Sequence, residues 1–229
     1  MTGSSGLIGA STADRLAADF RVVGLDRPGA PHPPPSADNM PFDVTSDESV
    51  HKGLTAVRDR YGSRIAAVIH LAAYFDFSGE PNVKYKKVTV EGTRRLLRGL
   101  HALKFHVERF VFSRTMLVHA PCEPGPAITE DWPLNPRWSY PQSKVDTERM
   151  MEAERGSFPT AVLRIAGVYD DICHSIPLAH QIERINERHV TSQMFPGHIS
   201  HGQSFLHVKD LLRPLRESSR AVRHCLRQP

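Results

Sequence analysis

Residues 2–9 read Thr-Gly-Ser-Ser-Gly-Leu-Ile-Gly and place Gly3, Gly6 and Gly9 at steps of three. Glycines so spaced permit a tight turn, close approach of the backbone to an anion and close packing of a following helix. A helix starting near Leu7 would aim its free N–H groups at a phosphate, with Ser5, Leu7 and Ile8 completing the loop. Glycine spacing alone is also what a flexible terminus shows. A second element is Asp26, which follows the run Val22-Val23-Gly24-Leu25 and stands 17 residues after Gly9. An acid there can accept hydrogen bonds from an adenosine ribose. Its charge repels a 2′-phosphate, which favours NAD over NADP. Arg27 beside it pulls the other way, because a guanidinium binds that phosphate. A turn before Pro28 is the plain alternative for Asp26.

Working outward, short β-branched runs alternate with longer amphipathic stretches, the signal for βα units and a parallel sheet. Strands are expected at Arg21–Leu25, Met40–Phe42, Ala66–Leu71, Arg109–Ser113 and Thr160–Ile165. Helices are expected over Asp47–Tyr61, Val88–Leu103 and from Tyr140 to Glu154, the first with Thr45 and Glu48 at capping-box spacing. Two loops, Arg27–Asp38 and Ala120–Ser139, are too rich in proline for helix or central strand. After Gly167 the βα rhythm is lost. A dinucleotide loop ordinarily follows a central strand, and Met1 leaves no room for one. The expectation is a sheet lacking its first, middle strand.

Tyr140 and Lys144, in Tyr-Pro-Gln-Ser-Lys, share one helix face. Tyrosine is a poor base at its ordinary pKa of about 10. A neighbouring ammonium, and a cationic nicotinamide if bound, would favour the phenolate. A surface pair on an amphipathic helix is the plain alternative. The strand ending Ser113-Arg114-Thr115 adds hydroxyls where it meets its loop, able to orient a substrate oxygen.

Together these residues resemble the extended short-chain dehydrogenase/reductase family, in its NAD-dependent epimerase/dehydratase branch. The resemblance runs from Thr2 to Leu212. It rests on the glycine loop, Asp26, Phe42–Thr45 (FDVT), His70–Ala73 (HLAA), Val90–Thr93 (VEGT), Phe110–Ala120, Tyr140–Lys144, Leu163–Tyr169 and Phe205–Leu211. It implies an α/β, Rossmann-type doubly wound parallel sheet, with the cofactor domain over residues 1–167 and a truncated substrate lobe with a basic tail over 168–229. It implies that Gly3, Gly6 and Gly9 bind pyrophosphate and that Asp26 binds the ribose. Asp43 and Val44 would border the adenine, and Leu71, Ala72 and Ala73 would line the cofactor groove. Thr115, Tyr140 and Lys144 would be catalytic, with Lys144 also on the nicotinamide ribose. A homodimer through Val88–Leu103 and Tyr140–Glu154 is implied as well.

The departures from the family pattern narrow the chemistry. Sugar 4,6-dehydratases carry Asp-Glu after the catalytic threonine, where Met116-Leu117 stand here, and neither moves a proton. Leu117 likewise argues against the sugar-acid decarboxylases, which carry Glu there. His119 replaces a usual tyrosine, Thr89 a usual asparagine and Arg114 a usual serine. Arg114 is expected to point either into the sheet layer or into the site. The expected activity is hydride transfer from a secondary hydroxyl of a sugar-nucleotide or related compound, as an epimerase or a dehydrogenase. The alternative is a catalytically crippled member that only binds a dinucleotide or a partner.

Composition bounds the rest. The chain has 229 residues, 24% of them charged and 40% hydrophobic, with a formal net charge of +4. The last seventeen residues hold five arginines against Glu217 alone, so they account for that whole excess. A basic tail of this kind fits a solvated helix side better than a nucleic-acid face. No run approaches the roughly 20 apolar residues of a membrane span, and the start does not read as a signal peptide. Cys122, Cys173 and Cys225 imply no disulfide framework, so a cytoplasmic setting is expected. None of the thirteen histidines, including His174 with His180 and His198 with His201, has metal-motif spacing. His70 is expected to be a satisfied core histidine. Trp132 and Trp138 are expected either to stack on a substrate ring or to anchor their loop.

Overall fold

Thr2 lies at the centre of the sheet, flanked by Met1 and by Gly3, where the chain turns. Thr2 N–H donates to the Ile69 carbonyl at 3.0 Å and Thr2 O accepts from Leu71 N–H at 3.2 Å. On the other side Gly3 N–H donates to the Leu25 carbonyl at 3.0 Å. Three residues therefore stand where the sequence predicted no central strand at all. The computed structural model describes residues 1–76, 78–122, 127–188, 190, 202 and 204–225, with side chains of the last helix through Glu217. His198 and His201 lie outside the described residues.

From this stub the chain forms α1 (Leu7–Leu16), β1 (Val23–Asp26), β2 (Asp38–Pro41), α2 (Asp47–Tyr61), β3 (Arg64–Ile65) and β4 (Val68–His70). A π-helical turn, Tyr85–Val90, runs into α3 (Glu91–Ala102), followed by β5 (His106–Val107) and β6 (Phe110–Thr115). Next come α4 (Ser139–Glu154), β7 (Thr160–Ile165), β8 (Gly167–Tyr169), α5 (Ile176–Asn186), β9 (Phe205–His207) and α6 (Val208–Cys225). All strand pairs are parallel. Thr2 bridges both Leu25 and His70, so the main sheet runs β2, β1, Thr2, β4, β6, β7. This is a Rossmann-type α/β sheet whose strand order reverses at Thr2. Ligands of such sheets bind beyond the C-terminal strand ends at that reversal.

Helices cover both faces. Phe110 and Phe112 of β6 point into one cluster with Val50, Leu54, Leu96, Leu97, Leu100 and Met151. Val111, between them, points into the other with Ala13, Leu16, Ile69, Ile165, Leu211 and Leu215. The alternation is the period-two pleat of a strand buried on both sides. Each large apolar side chain so buried contributes roughly 2 kcal/mol.

The bounds of α2 and β7 are those predicted. The other strands shift because pairing, and not hydropathy, ends a strand. Asp38 N–H donates to Val22 O, so β2 starts there and not at Met40. Thr115 pairs with Ile165, which carries β6 past Ser113. Pairing also moves the expected Arg21–Leu25 to Val23–Asp26 and shortens Ala66–Leu71 to Val68–His70. The predicted capping box is not formed. Ser46 caps α2 by accepting Ser49 N–H at 3.2 Å, while Thr45 donates from both its N–H and hydroxyl to Asp43 at 2.8 Å. The helix expected from Val88 begins earlier, as the π turn, which buries Tyr85, Thr89 and Val90 and packs against α4.

Beyond Gly167 the chain is more regular than its sequence. β8 pairs with β9, and α6 returns to pack on α1, where Arg216 pairs with Asp19 at 2.7 Å. Among the described residues no helix is long and apolar enough to cross a membrane.

Candidate active site

The glycine loop is held by contacts that only glycine tolerates. Gly3 has φ +69°, and a Cβ there would meet Ala72 N at 2.8 Å. A Cβ on Gly9 would lie 2.1 Å from Gly3 O. At Gly6 the nearest atom to a Cβ is Gly3 O at 3.7 Å, so space lies open in front of the helix start. The first intrahelical bond of α1 runs from Ala10 N–H to Gly6 O. The N–H groups of Leu7, Ile8 and Gly9 precede that ladder, no side chain caps them and no acid stands in the first turn. A positive helix end facing open space can hold an anion.

Asp26 closes this loop. Its carboxylate accepts Ser5 N–H and Arg27 N–H, each at 2.8 Å, and lone pairs remain for a ribose hydroxyl. Asp43 follows β2, with Arg27 and Lys87 nearby. Partial burial raises its pKa, but the Thr45 hydrogen bonds and those two cations outweigh this and hold it below the usual range. Val44 is buried beneath α3, where a Cβ on Gly92 would touch its side chain at 2.8 Å. Leu71 and Ala72 lie against the loop through Thr2, whose hydroxyl accepts Ala72 N–H at 3.4 Å. Ala73 follows them, half-buried. A pyrophosphate at Gly6 and a ribose at Asp26 therefore fit the groups present.

Tyr140 and Lys144 sit on the first turns of α4, which packs against β6. Lys144 is 2% exposed and donates from Nζ to the Ser113 carbonyl at 2.8 Å. Its ammonium lies 4.9 Å from the Phe112 ring centre and 5.8 Å from that of Tyr140. Burial pulls the Lys144 pKa down to about 7. Burial, and secondarily Tyr85, pushes the Tyr140 phenol up to about 12. Thr115 ends β6 two residues after Ser113, and its hydroxyl oxygen accepts Leu117 N–H at 3.2 Å, leaving its proton free to donate.

Other side chains settle into supporting roles. His70 is fully buried, its ring nitrogens meeting Thr2 at 2.6 Å and Thr93 at 2.8 Å, and burial drops its pKa to about 3. Arg114 turns away from the open face into a buried ion pair with Glu148 on α4, one turn after Lys144. Trp132 anchors its loop through Nε1–H to Ala120 O at 3.0 Å. Trp138 stands 5.6 Å from Tyr140, joined by Phe75 at 4.6 Å. Phe75 and Glu148 were missed in the sequence. The aromatic run starting at Tyr74 after HLAA was the available signal for the first, and helical spacing from Lys144 for the second.

Solved structures share this fold. UDP-glucose 4-epimerase of Thermus thermophilus, in complex with NAD, superposes with a TM-score of 0.74 at 24% identity, over 94% of this chain and 72% of that one. WbmH of Bordetella bronchiseptica, in complex with NAD+, gives 0.71 at 22% identity, over 95% and 70%. WbmG of the same organism, in complex with NAD and UDP, gives 0.70 at 18% identity, over 95% and 67%. At such identities the likeness speaks for fold alone. No curated protein matches the chain significantly. A sequence profile of a whole family does match, over residues 1–217, and its span takes in the glycine loop, Asp26, Thr115, Tyr140 and Lys144 together. The chain belongs to the NAD dependent epimerase/dehydratase family.

Proposed function

We propose that this chain is an NAD-dependent epimerase or dehydrogenase acting on a secondary hydroxyl of a nucleotide sugar. The observation that carries the proposal is the convergence of Lys144, Tyr140 and the end of β6 at the strand ends that also carry the glycine loop. Gly3, Gly6 and Gly9, with Ser5, Leu7 and Ile8, would hold the pyrophosphate, Asp26 the adenosine ribose, and Lys144 the second ribose. Asp43, Val44 and Leu71–Ala73 would border the rings. Asp26 favours NAD over NADP, since its charge opposes a 2′-phosphate. NAD, when bound, supplies the hydride acceptor and a positive charge beside the phenol. Tyr140 then takes the proton of the substrate hydroxyl, the Lys144 ammonium stabilises the phenolate and Thr115 donates to the substrate oxygen. An epimerase returns hydride to the other face of the keto sugar, and a dehydrogenase releases it. Residues 1–167 form the cofactor unit in this reading, 168–229 belong to the substrate lobe, and α3 with α4 supply a homodimer face.

The family and the UDP and UDP-glucose chemistry named for similar folds support the nucleotide-sugar class. The test is a thermal-shift titration with NAD followed by a screen of nucleotide sugars and simple secondary alcohols for nicotinamide absorbance and for epimerised product, because an epimerase leaves no net reduced nicotinamide. Stabilisation by NAD and turnover of a nucleotide sugar are expected. A flat titration points to a crippled member, and turnover confined to simple alcohols removes the sugar assignment.

A further inference from the structure

We propose that Phe75 and Trp138 form an aromatic platform of two inclined rings beside Tyr140 that recognises C–H groups on the pyranose ring of a nucleotide sugar. The inference rests on the hydride-transfer reading above and names how its sugar is held.

Two segments distant in sequence deliver these rings to one place. Phe75 follows the Leu71–Ala73 run at the exit of β4, where Tyr74 N–H donates to Thr89 Oγ1 at 3.1 Å and fixes the chain. Trp138 is the residue at which α4 starts, its carbonyl accepting Gln142 N–H at 3.2 Å. The two rings lie 6.2 Å apart at 57° to each other, and both lie against Tyr140, Phe75 in a T-shaped pair at 4.6 Å and Trp138 tilted at 5.6 Å. Both stand at the C-terminal strand ends, where this fold takes its ligands. Phe75 nonetheless remains 43% exposed, so its apolar surface faces outward next to the candidate base.

The hydroxyls of the two neighbouring tyrosines are engaged elsewhere. Tyr85, whose ring is 6.3 Å from Tyr140, donates its hydroxyl to the Asp76 carbonyl at 3.3 Å. Tyr74 donates to the Asp76 carboxylate at 3.2 Å and accepts from Asn82 at 3.1 Å. Phe75 adds ring surface to this flank. The faces of aromatic rings are electronegative, and they attract the polarised C–H groups on one face of a pyranose.

The test is calorimetric titration of the NAD-loaded full chain with UDP and with UDP-glucose. The wild type should bind UDP-glucose more tightly than UDP. Phe75→Ala and Trp138→Ala should each weaken UDP-glucose about tenfold with UDP affinity unchanged, and Trp138→Phe should restore most of the loss. The platform is overturned if wild type does not distinguish the two ligands, if the variants keep the wild-type preference, or if UDP weakens in parallel, which marks a merely structural role. Preference lost in the variants beside a wild type that shows no turnover supports the platform and counts against hydride transfer. Turnover with preference unchanged in the variants does the reverse.

Discussion

The Lys144 ammonium donates to the Ser113 carbonyl at 2.8 Å, tying the helix that carries Tyr140 to the strand that ends in Thr115. That buried bond links the elements that carry the phenol, the ammonium and the hydroxyl proposed for the site. The arrangement strains against solvation, since burial pulls Lys144 down to about 7 and pushes Tyr140 up to about 12. An arriving ligand that reinforces positive charge there would move the phenol toward its working range.

Stability should rise with pH above neutrality. Because the folded Lys144 pKa is depressed to about 7 from 10.5, the unfolded chain binds more protons between those values. Unfolding free energy then increases with pH across that window, by up to about 1.4 kcal/mol per unit. Tyr140, raised from its ordinary 10.0, opposes this only above pH 10. Thermal melts from neutrality to about pH 9.5 should therefore climb, and Lys144→Met should flatten the slope. A melting temperature that falls over this range contradicts the buried ammonium.

Two glycine substitutions should separate folding from cofactor binding. Gly9→Ala places a Cβ 2.1 Å from Gly3 O and should destabilise the chain by about 2 kcal/mol or more in denaturant titration. Gly6→Asp has room for its Cβ, so the chain should fold, but the carboxylate enters the anion position before α1. The stabilisation by NAD should then disappear. A Gly6→Asp chain that still responds to NAD would falsify the loop assignment.

Lys104 offers a stability test remote from the site. It ends α3 with φ +54°, its N–H donating to His101 O at 2.9 Å while Phe105 N–H donates to Leu100 O at 2.9 Å. This is the Schellman arrangement, in which glycine avoids the steric penalty of a left-handed residue. Lys104→Gly should stabilise by about 0.5–1 kcal/mol, with cofactor affinity unchanged. Equal or lower stability would show that the lysine side chain contributes more than the backbone strain removes.

Much of this was legible in the sequence. The glycine loop, Asp26 and the Tyr140–Lys144 spacing are local patterns, so neighbours in sequence carry them. α2 was legible to the residue because one apolar stripe specifies it. What failed were features decided across space. The central place of Met1–Gly3 depends on hydrogen bonds to Leu25 and Ile69, which no local pattern shows. The π turn before α3 packs against α4, with the Tyr85 ring 6.3 Å from that of Tyr140, a contact made across space. The side taken by Arg114 is set by Glu148, on another element. The meeting of Phe75 with Tyr140 joins the segment after β4 to the start of α4 and has no period to betray it.

The most direct test of the catalytic assignment is a single-turnover measurement, read by nicotinamide absorbance and by analysis of the sugar product, on mixing the NAD-loaded chain with a nucleotide sugar. Wild type should show reduced nicotinamide or interconverted sugar, whereas Tyr140→Phe should lose at least about a hundredfold in rate, the lower range of general-base catalysis, while binding NAD as before. Equal rates from the two proteins would contradict the account.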